Sequence, residues 1–200
     1  MLLFLARHGQ TLAEGTFYGH DDVALSPAGR GQMARLADHL RRHALAAVYT
    51  SDLRRAREGA ELIAATRGLE VQADPRLREM HLGCLEGLGY AAAAARHPEL
   101  AGRDYASMVE FRMPGGGESL VDVWDRVAPA LRELKARHDG ERVAVVSHNS
   151  VNRLILGDAL GLPPRAVFAF AQDYGCLNVI DYRRGRPVVR LLNGRSGEPG

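Results

Sequence analysis

The 200-residue chain lacks most of the features that would place it in a specialised class. Only two cysteines occur, Cys84 and Cys176, far apart, with neither a CxxC pair nor the His spacing of a zinc site. That excludes a disulfide scaffold and leaves two reduced thiols as the plain reading. Long apolar runs are missing as well. The opening MLLFLA stops at Arg7-His8, too short for a signal-peptide core and far too short to span a bilayer. A soluble, cytoplasmic protein with no membrane partner is the expectation. Charge of one sign is not in excess: 26 Lys+Arg against 24 Asp+Glu leave a formal net charge of +2, no footprint for nucleic acid. Repeats and low-complexity linkers are absent, and 46% hydrophobic residues at this length suffice to close one core. A single domain over residues 1–200 is therefore expected.

What is present is an alternation of short apolar runs and helix-spaced segments. Leu2 to Ala6 reads as a buried strand ending at Arg-His-Gly. Ser26-Pro27 opens a helix as N-cap and first helical residue, with Met33, Leu36, Ala37 and Leu40 on one face. Ala46 to Thr50 is a second strand, and Ser51-Asp52 is expected to cap a helix whose inner face holds Ala56, Ala60 and Ile63. A third strand is predicted near Glu70 to Ala73. From Pro75 to Gly117 the pattern is irregular and reads as an inserted lid with some helix, the insertion itself at about 87–117. Helical spacing returns over Ser119 to Arg137, followed by a strand at Arg142 to Val146, a helix over Val151 to Leu160, and strands at Cys176 to Asp181 and Pro187 to Leu192. The last residues, Glu198 to Gly200, read as a frayed tail. The fold class is α/β: a three-layer α/β/α sandwich with a mostly parallel central sheet.

Three segments place His or Arg directly after a predicted strand: Arg7-His8-Gly9, Ser51 through Arg55, and Ser147-His148. In an open α/β sheet such strand ends share one crevice. Two imidazoles and two guanidiniums there make an electropositive pocket, and the planar fork of Arg matches phosphate oxygens. Phosphoryl transfer needs a nucleophile, charge stabilisation and an acid for the leaving oxygen, and His, Arg and a carboxylic acid supply these without a metal or cofactor.

These residues resemble the histidine phosphatase superfamily, also called the phosphoglycerate mutase-like proteins, from Leu3 to about Asn178. RHGQT at Arg7 to Thr11 is similar to the family hallmark; the resemblance implies that Arg7 binds phosphate and that His8 is the phosphorylated nucleophile. The stretch from Ala24 to Gln32 looks like the family's entry into its first helix. SDLRRA at Ser51 to Ala56 resembles "SxLxRA" and selects Arg55, over Arg54 and Arg57, as a phosphate ligand. LREMHLGCLEG at Leu77 to Gly87 resembles "LxExxxGxxEG", which points to Glu79 as general acid and base and leaves Glu86 structural. PGGGES at Pro114 to Ser119 resembles the "GGES" loop, and VVSHNSVNR at Val145 to Arg153 carries the second essential histidine, His148, a catalytic group and phosphate ligand. The implied reaction is hydrolysis of a small phosphate ester through a phosphohistidine, in the branch that resembles broad-specificity and α-ribazole phosphatases.

Three positions depart from the family pattern: Glu14 where Asn is frequent, Gly59 where "RAxxT" ends in Thr, and Asn149 where Gly commonly follows the second His. A carboxylate facing the pocket would repel phosphate, so Glu14 is expected either to turn outward or to meet a substrate hydroxyl or amine. His20, His81 and His97 read as surface or lid residues, Trp124 as core, and Tyr90, Arg103, Tyr105 and Arg112 as lid residues able to touch substrate. The alternatives are a cofactor-dependent phosphoglycerate mutase, disfavoured by the short segment after Glu79 and its "EG" ending, and a non-enzymatic phospho-ligand binder. A metallohydrolase is weaker, because no clustered carboxylates or close His pair suggest a metal site. A homodimer is the default assembly.

Overall fold

The computed structural model describes residues 1–100, 103 and 109–195; Tyr105 and the tail from Glu198 lie outside the described residues. Four strands, β1 (Leu2–Arg7), β2 (Ala47–Thr50), β3 (Val71–Ala73) and β4 (Arg142–Ser147), run parallel. A final hairpin of β5 (Leu177–Asp181) and β6 (Val188–Gly194) completes a six-stranded sheet in the order β3-β2-β4-β1-β5-β6, with β5 antiparallel to β1. The helices are α1 (Pro27–Leu40), α2 (Arg54–Ala65), α3 (Tyr90–Arg96), α4 (Leu120–Arg137) and α5 (Asn149–Leu160). None of the described helices is long and apolar enough to cross a membrane.

The apolar runs of β1 and β4 are continuous because both faces of these central strands are covered. Leu3, Leu5, Val143 and Val145 pack with α4 and α5 residues such as Val127, Leu131 and Ile155. Their alternates Phe4, Ala6, Ala144 and Val146 pack with α1 and α2 through Met33, Leu36, Ala60 and Ile63. These two cores define the three layers. A third, smaller core of Leu85, Ala93 and Met113, with Phe17, Leu82 and Leu100 against it, gathers the segment between β3 and α4.

Helix starts follow the local chemistry in most places. Ser26 Oγ accepts from Gly29 N at 3.0 Å with Pro27 as first helical residue. Ser119 and Asp122 form a reciprocal capping box on α4. The expected Ser51-Asp52 cap on α2 does not form. Arg54 N donates instead to Asp22 Oδ1 at 2.7 Å, from a loop distant in sequence, while Asp52 pairs with Arg78. Helix α5 begins at Asn149, two residues before the predicted start, and the N–H of Ser150 in its first turn meets an acidic partner described below. At Gly59 a Cβ would lie 2.8 Å from the end of the Met33 side chain, so this departure from the family pattern serves the close packing of α2 on α1.

Candidate active site

β1 delivers Arg7 and then His8 to the carboxyl edge of the sheet, and β4 delivers Ser147 and His148 beside them. The backbone of His8 is held on both sides: its N–H donates to Ser147 O at 3.0 Å and its carbonyl accepts from Gly175 N at 3.0 Å. The following turn lies against the first turn of α1 with no room for a side chain. A Cβ on Gly9 would sit 2.3 Å from Gly29 O, and one on Gly29 would sit 2.0 Å from Gln10 O. Gln32 completes this clamp by accepting from Gln10 N at 2.9 Å. The Gly29 to Gln32 stretch thus fixes the loop that carries His8. Gly9→Ala is expected to cost about 3 kcal/mol in urea unfolding, since backbone rather than a movable side chain must give way, and to lower activity through displacement of His8.

The His8 side chain is buried, and its Nδ1 lies 2.7 Å from Gly9 O. A carbonyl oxygen only accepts, so Nδ1 carries the proton and Nε2 presents the lone pair. Burial, then the charges of Arg55 and Arg7, lowers the pKa of His8 well below the ordinary histidine value. His148 is also fully buried, and burial with Arg55, His8 and Arg7 lowers its pKa in the same way. Both imidazoles are therefore neutral near pH 7, and the positive charge of the crevice comes from the two guanidiniums rather than from four cationic groups. The two rings stand 5.2 Å apart between centroids. His148 Nε2 pairs with Ser51 Oγ at 2.7 Å; because that hydroxyl already accepts from Leu53 N, it is placed to donate to Nε2, leaving the proton on Nδ1.

The depressed pKa values have a consequence for stability. Once the pH falls below about 6.5 the unfolded chain binds protons on these histidines that the native protein does not, so stability declines as pH falls and is retained above that value. Thermal unfolding is expected to show this loss between pH 6.5 and 5; a transition temperature independent of pH in that window would contradict neutral, buried His8 and His148.

Arg7 Nε, Arg55 Nε and His148 Nδ1 are buried N–H groups with no protein partner among the described residues, and Asn152 Nδ2 in α5 is a fourth. Buried donors of this kind are rare unless they serve a ligand. Of the three neighbouring arginines, Arg54 and Arg57 are exposed and pair with Glu58 and Glu61, whereas Arg55 is 0% exposed. Its terminal nitrogens donate to Gly19 O at 2.6 Å and Asp21 O at 2.9 Å. Arg7 donates to Gln172 O at 2.5 Å and stacks 4.0 Å over the Tyr174 ring.

Glu79 comes from the start of the lid. Its carboxylate accepts from Met80 N at 2.9 Å and from Ser150 N, in the first turn of α5, at 3.2 Å. The backbone behind it is fixed by Arg126 of α4, which donates to the carbonyls of Arg76, Arg78 and Glu79 and pairs with Glu118 at 2.8 Å. His20, read from sequence as a surface residue, is half-buried and pairs with the same Glu79 carbonyl through Nε2 at 2.8 Å. Glu86 accepts from the N–H groups of His20 and Leu82.

Arg7, His8, Glu79 and Ser150 line one cavity of about 380 Å³. Arg55 and His148 lie behind its wall, near enough for their charge and rings to act on His8. Glu14 is exposed, accepts from Gln10 Nε2 and does not line the cavity. Of the other lid candidates, Tyr90 lines the cavity, while Arg103 stacks on Phe111 and Arg112 pairs with Asp122. No group of three or more His, Cys, Asp or Glu among the described residues is arranged to hold a metal ion. Sequence reasoning missed Ser51 as the partner of His148, and Tyr18 and Tyr174, whose hydroxyls meet at 2.7 Å beside the site. It also missed Ser150, although the free N–H groups of a helix starting after His148 were a signal for an acidic partner.

Fold and crevice together define the class, an α/β/α enzyme of phosphoryl transfer. A family model of the histidine phosphatase superfamily (branch 1) matches residues 3–195, and the chain belongs to that superfamily. It is 43% identical over 155 residues to phosphoglycerate mutase-like protein 4 of Arabidopsis thaliana, a match spanning 76% of this chain and about two thirds (67%) of that protein. It is 30% identical over 204 residues to the adenosylcobalamin/alpha-ribazole phosphatase of Escherichia coli strain K12, covering 98% of this chain and 97% of that one. Among solved structures, a mycobacterial glucosyl-3-phosphoglycerate phosphatase in complex with VO3 superposes with a TM-score of 0.87 at 30% identity, covering 96% of this chain and 98% of that chain.

Proposed function

We propose that the protein is a metal-independent phosphomonoesterase in which His8 Nε2 accepts the phosphoryl group of a small ester. The observation that carries this reading is the neutral His8, with Nδ1–H held by Gly9 O, set beside three buried donors that have no protein partner. In the first step the Nε2 lone pair forms the N–P bond as the ester P–O bond breaks, and Glu79 gives its proton to the departing oxygen. Arg7, Arg55 and His148 Nδ1–H take the charge of the equatorial oxygens. In the second step the Glu79 carboxylate takes a proton from water, whose oxygen attacks phosphorus; the N–P bond breaks and inorganic phosphate leaves a neutral His8.

Residues 1–200 act in this reading as one catalytic unit, with the 87–117 insertion closing over the leaving group, which the lid core around Leu85, Ala93 and Met113 supports. The relatives named phosphatases support hydrolysis over isomerisation. Two free thiols, exposed Cys84 and buried Cys176, support a reducing, cytoplasmic setting.

The test is turnover of a panel of phosphate monoesters with EDTA present, by wild type and Glu79→Gln. Wild type is expected to release phosphate undiminished by EDTA. In kcat/KM, which reports the phosphorylation of His8, Glu79→Gln is expected to lose about 10²–10⁴-fold on alkyl esters and far less on p-nitrophenyl phosphate, whose leaving group departs without a proton. An equal loss of kcat/KM on every ester would remove Glu79 from the acid role.

A further inference from the structure

Beyond its phosphoryl end the cavity has a different chemistry. Apart from Thr16, Asn149 and Ser150, its wall is formed by Phe17, Leu82, Leu85, Tyr90, Leu100 and Met113, with Phe168 and Tyr174 from the segment after α5. Phe17 and Tyr90 meet edge to face, 4.9 Å between centroids at 72°. One of the Tyr18 and Tyr174 hydroxyls donates to the other, so the pair keeps a single O–H for an occupant beside its ring surface. Arg7 and Glu79 are the only charged residues on the wall among the described residues, and phosphoryl transfer engages both.

The cations standing further out are already bound. Arg112 pairs with Asp122, Arg126 with Glu118 and three carbonyls, and Arg103 with the Glu99 carbonyl and the face of Phe111. Arg153 donates to Asn149 Oδ1 and to the Val167 carbonyl, and stacks on Phe168 and Phe170. Between Leu100 and Val109 the sequence carries Arg103 and no other basic residue. A carboxylate on the alcohol half of a substrate would therefore lose its water without gaining a counter-ion, which is strongly unfavourable. An aromatic ring there would meet apolar and aromatic faces.

We propose that this site takes phosphate monoesters whose alcohol half carries no carboxylate and presents an apolar, aromatic face, and that it rejects phosphorylated hydroxy acids and amino acids. The inference rests on the phosphatase reading above. It makes the lid, rather than the phosphate ligands, the source of selectivity, and it assigns Phe17 and Tyr90 as residues that determine specificity.

The experiment compares kcat/KM for 1-naphthyl phosphate with that for O-phosphoserine and 3-phosphoglycerate, in wild type, Phe17→Ala and Tyr90→Ala. Tyr90 is 58% exposed, so its variant keeps the fold. Wild type is expected to favour 1-naphthyl phosphate by more than about 100-fold. Each variant is expected to raise KM for that ester about tenfold with kcat nearly unchanged, because the contact is equal in ground and transition states. Inhibition by inorganic phosphate should stay at the wild-type level in both variants. Equal or reversed preference, or variants that leave KM unmoved, would overturn the specificity inference while hydrolysis itself stands. Absence of hydrolysis of every ester, with no inhibition or binding by phosphate, would overturn the phosphatase reading and this inference with it.

Discussion

His8→Ala is expected to lower turnover of every phosphate ester by at least about 10⁴-fold, to the limit of detection. The loss is large because no other side chain is set to replace Nε2. His148 is the nearest imidazole, 5.2 Å away between ring centroids, but its Nε2 is engaged by Ser51 and its Nδ1 faces the wrong task as a donor. Glu79 is held against the start of α5 by Ser150 N, a geometry for proton transfer to and from oxygen rather than attack on phosphorus. The fold should survive the substitution. The backbone bonds of His8 to Ser147 and Gly175 do not involve its side chain, and the ring contributes one hydrogen bond, to an adjacent carbonyl. A stopped assay with retained phosphate binding is therefore the expected pair of results, read by product release and by equilibrium binding of inorganic phosphate.

Arg55→Ala is expected to damage both activity and stability, unlike His8→Ala. The side chain is wholly buried and ties the 19–22 loop to α2 through the carbonyls of Gly19 and Asp21. Truncation leaves a cavity and two acceptors without donors, a combined cost of about 2–5 kcal/mol in chemical unfolding. In turnover, losing one fixed positive donor costs about 10²–10³-fold. Burial lowers the Arg55 pKa, while the neighbouring Glu79, Tyr18, Asp22 and Glu86 oppose that shift; the guanidinium nonetheless stays charged. Removing it also takes away one of the two cations that hold His8 neutral, so the histidine pKa should rise, measurable by NMR titration. Unchanged stability with full activity would show that Arg55 neither braces the loop nor serves the phosphoryl group.

How far this site was legible in sequence depends on distance along the chain. The strands and helices of the sandwich follow from periodicity: Leu3 and Phe4 alternate between two cores, and Ser26-Pro27 and Ser119 open helices by local capping. Arg7, His8 and His148 stand out because each follows a strand end. What stayed hidden were partnerships across many residues. Ser51 looked like a cap for the helix beside it, and instead bonds His148. The cap on α2 comes from Asp22, and the backbone of Glu79 is braced by Arg126 and His20, none of which local spacing can couple. The burial that keeps the two imidazoles neutral likewise depends on the assembled structure, which no local pattern shows. The lid gave little signal because its small core is assembled from Phe17, Leu85, Ala93 and Met113, which no single period links.

Passage of the phosphoryl group through His8 is most directly tested by mixing wild-type protein with p-nitrophenyl phosphate, quenching in alkali during the first turnover, and mapping the phosphopeptide by mass spectrometry. The predicted result is a phosphoryl group on the peptide containing His8, attached at Nε2 by NMR and absent from His8→Ala. Rapid product release with no phosphoprotein at any time, or a phosphoryl group on another residue, would contradict it.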